Sequence, residues 1–243
     1  MARTWATAAP APLSPATFDA ALETTLHEQA CRNVREVPRI AAISDAGQAF
    51  DLDYYLRHRI ETVHRIRMTA GTDALALAAM VAEHFDAARR WADYTAEEMK
   101  HDRFFLADLA RHGWDAQRVL AVPPLRGTVA LIDYLRRQIA SVGSIAAVAY
   151  SIYVEWHSAR FSRPAVERAE QALGAEFVKG AKAHLAVDVK EDHCQEMVDI
   201  AYLLAGHDAG LRVLRALVVD IAGLLRESFI ELHLTVAEPA PET

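Results

Sequence analysis

Cysteine is scarce in this chain of 243 residues: Cys31 and Cys194 are its only two. They lie in no CxxC pair and are too few for a disulfide framework, so a reducing, cytoplasmic compartment is expected. Glycine and proline are sparse as well, ten and nine respectively. Together they make up about 8% of the chain against an average near 12%, so residues that break helices are few. No apolar/polar alternation of the strand type, internal repeat or interior linker is visible. A basic excess is missing too: 26 Lys and Arg face 33 Asp and Glu, giving a net charge of −7. Without a dense basic run there is no electrostatic footprint for phosphates, and nucleic acid is not an expected partner. No segment reaches the ~18 uninterrupted apolar residues of a membrane span. The first fifteen residues carry one Arg and an Ala/Pro stretch rather than the apolar core of a signal peptide.

What the chain does have is a 52% apolar content, enough for a sizeable core, distributed at helical spacing. Residues 1–15 and 236–243 are Ala/Pro tails expected to be disordered, leaving one domain over 16–235. A first helix is predicted over 16–33, with breaks near Val37-Pro38 and Ser44 to Gly47, and a second over 50–68. Between Asp73 and His112 neither Gly nor Pro occurs, and Gly113 ends the run as a helix cap. Thr95 and Glu98 fit a Thr-x-x-Glu capping box that would start a new helix inside it. Pro123-Pro124 and Gly127 mark a loop. Beyond it, 128–161 reads as a long apolar helix with a break at Gly143, Pro164 as the next start, 175–205 as another helix and 209–236 as the last. The expectation is an all-α bundle of about seven to eight helices.

Three segments place histidines at helical spacing from carboxylates. In EEMKHD, Glu98 and His101 are three apart and share a helix face, as in helix-built di-iron carboxylate sites. Glu97 beside them is a possible extra ligand. The same spacing recurs at Glu61 and His64, read as a helix-surface pair, with Glu61 as another extra-ligand candidate. Glu155 ends an uncharged stretch, GSIAAVAYSIYV, and a carboxylate in so apolar a helix must be neutralised, paired or bound to metal. The third segment holds His184, Asp188, Glu191 and His193. At about 100° per residue Asp188 falls about 40° from His184 and Glu191 about 20° to the other side, while His193 points the opposite way. Bringing His193 to the same face requires a π-bulge or local unwinding. Together the three segments offer a mixed nitrogen and oxygen donor set suited to two ferrous ions rather than structural zinc.

In this order, Glu-x-x-His, then a Glu in an apolar helix, then His-x-x-x-Asp with a further His, the chain resembles the haem-oxygenase-like di-iron oxidases over roughly 74–204. The stretch EEMKHDRFFLADLARHG is similar to one in that family. The resemblance implies a single-domain haem-oxygenase-like up-and-down bundle that holds no haem. It implies metal ligands at Glu98, His101, Glu155, His184 and Asp188, with two Fe(II) as cofactors and O2 as co-substrate. The family's last histidine falls where this chain has Glu191, so His193 is taken as the sixth ligand and Glu191 as the straight-helix alternative. The implied reaction is an O2-dependent oxidation of a small amino-acid-like substrate in a biosynthetic pathway: desaturation, C–C cleavage or decarboxylation, or a related C–H oxidation, with N-oxygenation of an amine as the alternative. The substrate would lie in an apolar cavity near Tyr150 and Tyr153, with electrons from an external donor. Two other readings compete. One is a cofactorless thiaminase II type enzyme with Cys194 as nucleophile; the other is a non-enzymatic helical ligand-binding protein. Trp91, Trp114 and Trp156 read as core or interface fillers. The last helix, with Leu211, Leu214, Leu217, Val218, Ile221, Leu224 and Leu225, is apolar enough for homodimer packing as well as core.

Overall fold

The computed structural model describes residues 11–37, 43, 45 and 47–237, with 188–191 described by backbone alone. The expected tails at 1–10 and 238–243, the breaks at Pro38 and Ser44, and the side chains of Asp188 and Glu191 lie outside the described residues. In chain order the helices are α1 (Pro15–Glu36), α2 (Leu52–Glu83), α3 (Phe85–Glu98), α4 (Asp102–Arg111), α5 (Ala116–Ala121) and α6 (Arg126–Val142). They continue as α7 (Ile145–His157), a π-helical turn (Ser158–Ser162), α8 (Arg163–Leu173), a 3-10 turn (Ala175–Val178), α9 (Lys179–Glu191), α10 (His193–Ala205) and α11 (Asp208–Ala237). The described residues form an all-α single domain in which no helix is long and apolar enough to cross a membrane.

Helix α7 is the centre of the bundle because its sequence is apolar nearly all round. Eleven of its thirteen residues are buried, packed by α6, α10, α11 and α2. Each buried aliphatic or aromatic side chain contributes ~1.5–3 kcal/mol relative to exposure, so α7 sets the position of whatever its last turn carries. Gly143 separates α6 from α7 with φ 92°, a conformation in which a side chain would be strained. Trp91 and Trp156 are buried fillers, whereas Trp114 is half-buried under the Arg118 guanidinium, 3.8 Å from its ring centre.

Several sequence expectations change. Helix α2 does not stop at 68 but runs on through Gly71 to Glu83. The capping box at Thr95 and Glu98 is absent: α3 already begins at Phe85, capped by His84, whose Nδ1 accepts the Ala87 N–H. Thr95 lies inside α3 and its hydroxyl donates to the Trp91 carbonyl at 2.8 Å. Residues 11–14, expected in the tail, are docked: the Leu13 N–H donates to the Gly206 carbonyl at 2.9 Å, and the Leu13 carbonyl accepts from the Tyr202 hydroxyl at 2.6 Å. At the other end α11 extends to Ala237. The apolar residues of α11 from Leu211 to Leu225 are largely spent inside the chain's own core.

Glu61 and His64 are not a surface pair; both are buried, at 3% and 7% exposure. Glu61 accepts the Leu125 N–H at the start of α6 and pairs with Arg57 at 2.8 Å, so its charge is committed to a cap and not to a metal. The same device recurs, since orphan N–H groups at a helix start need acceptors. Glu83 receives the Ser144 N–H at the start of α7, and Glu231 those of Arg126 and Gly127. Asp108 of α4 receives Gly180 and Ala181, each at 2.8 Å, at the start of α9. A Cβ at Gly180 would overlap the Phe104 carbonyl, so glycine there lets α9 lie directly on α4.

Candidate metal centre

Three breaks in helix continuity build the site. Glu97 and Glu98 occupy the last turn of α3, and His101 stands in the short break before α4. Glu155 sits in the last turn of α7, at 5% exposure. Between α9 and α10, Asp192 adopts the left-handed conformation, φ 49° and ψ 47°, which ends α9 and restarts the helix at His193. On a straight helix His193 would face away from His184; the break frees its direction, and the ring is buried at 1% exposure.

Glu98, Glu155 and His193 then offer one ligand atom each within 4.8 Å of one another. His101 joins them, its Nδ1 lying 3.0 Å from Glu98 Oε1. His184 is half-buried on α9 and meets His101 ring to ring, with centroids 4.6 Å apart. The same ring also lies beside Phe105, with centroids 5.2 Å apart. Asp188 belongs to the next turn of α9, and Glu191 is that helix's last residue. Glu97, weighed as an extra ligand, instead reaches the far side of the His193 ring, its Oε2 lying 3.3 Å from Nε2. A carboxylate only accepts, so the neutral tautomer that suits Glu97 carries its proton on Nε2 and leaves a lone pair on Nδ1. That Nδ1 is 3.5 Å from Glu98 Oε1, and neither atom makes a hydrogen bond of proper geometry.

Buried polar atoms left in this state are costly, and a cation placed among them would satisfy both. A carboxylate holding the outer nitrogen of an inward-facing histidine is the usual support of a metal-binding imidazole. The donor set therefore fits a metal, and its mix of imidazole and carboxylate suits a divalent transition ion.

Sequence reasoning missed three groups around this cluster. Tyr94, one helical turn before Glu98, donates its hydroxyl to Glu155 Oε1 at 2.9 Å. Burial first, and the Glu155 charge second, push its phenol well above the usual range, so it stays a donor. Asp73 of α2 is pushed up to about 7 by burial and then by the Glu98 charge. Arg65, also on α2, lies against the Tyr150 hydroxyl. The apolar period of α2 was legible, but the polar residues interleaved on its inner face carry no motif.

These groups line a cavity of about 210 Å³ that opens beside the cluster and is shared by α2, α7, α9 and α11. Glu98, Glu155 and His184 face it, as do Tyr150 and Tyr153. Burial, the leading cause for both tyrosines, pushes each up to about 12. The π-helical turn after α7 brings Ser158 and Ser162 to the same wall, a widening of the sort found at functional sites.

No protein-family model matches the chain, and no curated protein does. Solved structures do. The chain is similar to a domain of unknown function with a heme oxygenase-like fold from Shewanella denitrificans OS217, with a TM-score of 0.76 and 20% identity over 92% of this chain and 93% of that one. It is also similar to a TenA homologue from Pseudomonas syringae pv. tomato DC3000, with a TM-score of 0.70 and 17% identity over 89% and 91%. At these identities the likeness speaks for the fold, which is heme oxygenase-like.

Proposed function

We propose that the protein is a non-haem di-iron oxidase that uses O2 to oxidise a small, amino-acid-like substrate bound in the cavity beside Glu98 and Glu155. The observation that carries this reading is the convergence of Glu98, Glu155 and His193 within 4.8 Å in the interior, with a bare His193 Nδ1 turned toward them. Glu98, His101, Glu155, His184 and His193 would hold the metal, with Asp188 on the adjoining turn of α9. Iron(II), when bound, supplies the electrons for reducing O2, which no protein side chain here can do.

The chain's own residues do the rest. The carboxylates of Glu98 and Glu155 offset the charge of divalent ions in a site largely closed to water. Tyr94 fixes the rotamer of Glu155 through its hydroxyl, and Glu97 fixes the tautomer of His193. Tyr150 and Tyr153 remain protonated at neutral pH and present donors to the substrate's polar groups. Asp73, with its pKa near 7, can hold or release a proton at its carboxylate close to neutral pH. The walls exclude water from whatever lies between these groups.

The test is anaerobic loading with iron(II) followed by mixing with O2 and a panel of amino acids. Expected are substrate-dependent O2 consumption and a product identified by mass. Loss of two hydrogens indicates desaturation, loss of carbon dioxide indicates cleavage, and a gain of one oxygen on the amine indicates N-oxygenation. O2 consumption no faster than that of free iron with every substrate would count against the proposal. The cofactorless thiaminase II reading draws support from the TenA homologue among the structural neighbours. It needs a nucleophilic thiol in the cavity, yet Cys194 is not among the cavity's lining residues and burial pushes its thiol up. Both facts weigh against a reactive thiolate.

A further inference from the structure

Helix α2 carries four arginines, and they divide into two kinds. Arg57 pairs with Glu61 at 2.8 Å and Arg67 with Asp102 at 2.7 Å. Arg59 and Arg65 instead line the cavity, and among the described residues neither forms a salt bridge. Arg59 lies over the Tyr55 and Phe105 rings at 4.9 and 5.3 Å, with its Nε buried and unbonded. Both side chains are half-buried at the cavity wall, and a partly desolvated guanidinium without a counter-ion is a ready receiver for an anion.

Arg65 belongs to a stripe on α2, His58, Thr62, Arg65, Thr69 and Asp73, whose members all face the cavity. At ~1.5 Å rise per residue, Arg65 stands ~12 Å along the axis from Asp73. Asp73 and Tyr94 mark the end where Glu98 and Glu155 lie, and Arg65, Arg59 and His58 mark the other. The positive end is felt by its neighbours. Burial, and then the charges of Arg59 and Arg65, push His58 well below its usual range.

We infer that Arg65, backed by Arg59, anchors the carboxylate of the substrate, so that the substrate is a small acid held with its far end toward Glu98 and Glu155. The inference rests on the reading that this cavity is the substrate site. A carboxylate suits a single guanidinium fork beside a tyrosine hydroxyl. A phosphate would call for a cradle of free backbone N–H groups at a helix start; of the helix starts that reach the cavity, α9 has its Gly180 and Ala181 N–H groups taken by Asp108, and α8 continues directly from the π-helical turn. About 210 Å³ is below the ~300–1,000 Å³ of drug-sized pockets, so the acid is short.

The test uses the full chain stripped of metal with a chelator, so that it does not depend on iron chemistry. Thermal midpoints are followed against straight-chain carboxylates from acetate to octanoate, glycine to norleucine, the matching primary amides, and hexylphosphonate. Expected is a concentration-dependent rise with at least one acid and none with its amide. In Arg65→Gln the apparent affinity falls by roughly 10- to 100-fold, the size of a lost charged hydrogen bond. Arg65→Lys keeps a charge without the fork and falls between the two. Three results overturn the inference: no acid protects the wild type, amides protect as well as acids, or Arg65→Gln responds like the wild type. Stronger protection by the phosphonate than by every carboxylate overturns the carboxylate assignment. If Arg65→Gln is not folded by circular dichroism, Arg65→Lys decides by the same criterion. Iron binding is measured separately, so a chain that binds acids through Arg65 but no iron defeats the oxidase reading and leaves the anchor standing.

Discussion

Replacing Asp108 by alanine tests how the fold delivers a ligand to the site. The Asp108 carboxylate is 3% exposed and accepts the Gly180 and Ala181 N–H groups at 2.8 Å each, with a longer bond from Arg111 at 3.3 Å. One hydrogen bond to a charged group contributes ~1.5–3 kcal/mol, and a buried N–H left without an acceptor costs ~1–3 kcal/mol. Both bonds share one carboxylate, so the losses do not add in full, and ~3 kcal/mol is expected. For a chain of this length ~1 kcal/mol moves the midpoint by ~2–4 °C, so Tm should fall by ~6–12 °C. Asparagine keeps one acceptor but sets an NH2 against the second N–H, so it should lie close to alanine. The start of α9 leads into His184, and metal affinity should weaken by roughly 10- to 100-fold, as for other supporting contacts. The assays are differential scanning fluorimetry of the metal-free chain and titration with a divalent ion. A midpoint within ~1 °C of the wild type would refute the capping argument. A full loss of stability with unchanged metal affinity would refute the link from this cap to His184.

Tyr94→Phe removes the donor to Glu155 while keeping the ring, and should weaken metal binding by roughly 10-fold with little change in overall helix content; an affinity within threefold by competition titration would deny Tyr94 a positioning role. Asp192→Ala keeps the left-handed backbone strain and loses the side-chain cap on Gln195, so it should destabilise by ~1–2 kcal/mol, whereas Asp192→Gly should stay within ~0.5 kcal/mol of the wild type; urea denaturation of the pair measures the difference, and equal losses would contradict the strain assignment. Asp73 has its folded pKa raised to about 7 from 3.8, so the folded chain holds that proton more tightly than the unfolded one. Its charge therefore lowers stability as pH rises from about 4 to about 7, and Asp73→Asn should flatten that decline in metal-free protein; unchanged pH profiles of Tm would contradict the assignment.

The helical fold was legible because it rests on composition and period: few breakers, and apolar residues at spacing 3 and 4. Glu155 stood out for a related reason, as a lone charge after an apolar stretch. His193 was legible only conditionally, since helix periodicity turns it away from His184 and the left-handed Asp192 that redirects it is a tertiary outcome at a non-glycine residue. Thr95 and Glu98 misled because a capping-box pattern carries no weight once His84 has started the helix ten residues earlier. Glu61 misled for the opposite reason: its role depends on the N–H of Leu125, sixty-four positions away, which local pattern does not contain. Arg65, Asp73 and Tyr94 belong to helix faces whose partners only packing reveals.

The central claim is that side chains from α3, α7 and the α9–α10 junction grip a pair of iron ions. Its most direct measurement is the iron retained per chain after anaerobic loading and desalting, in the wild type and in Glu98→Ala, Glu155→Ala and His193→Ala, each first shown to be folded. The account predicts about two ions per chain in the wild type and no more than about one in each variant. A wild type that retains none, or variants that retain as much as the wild type, would contradict it.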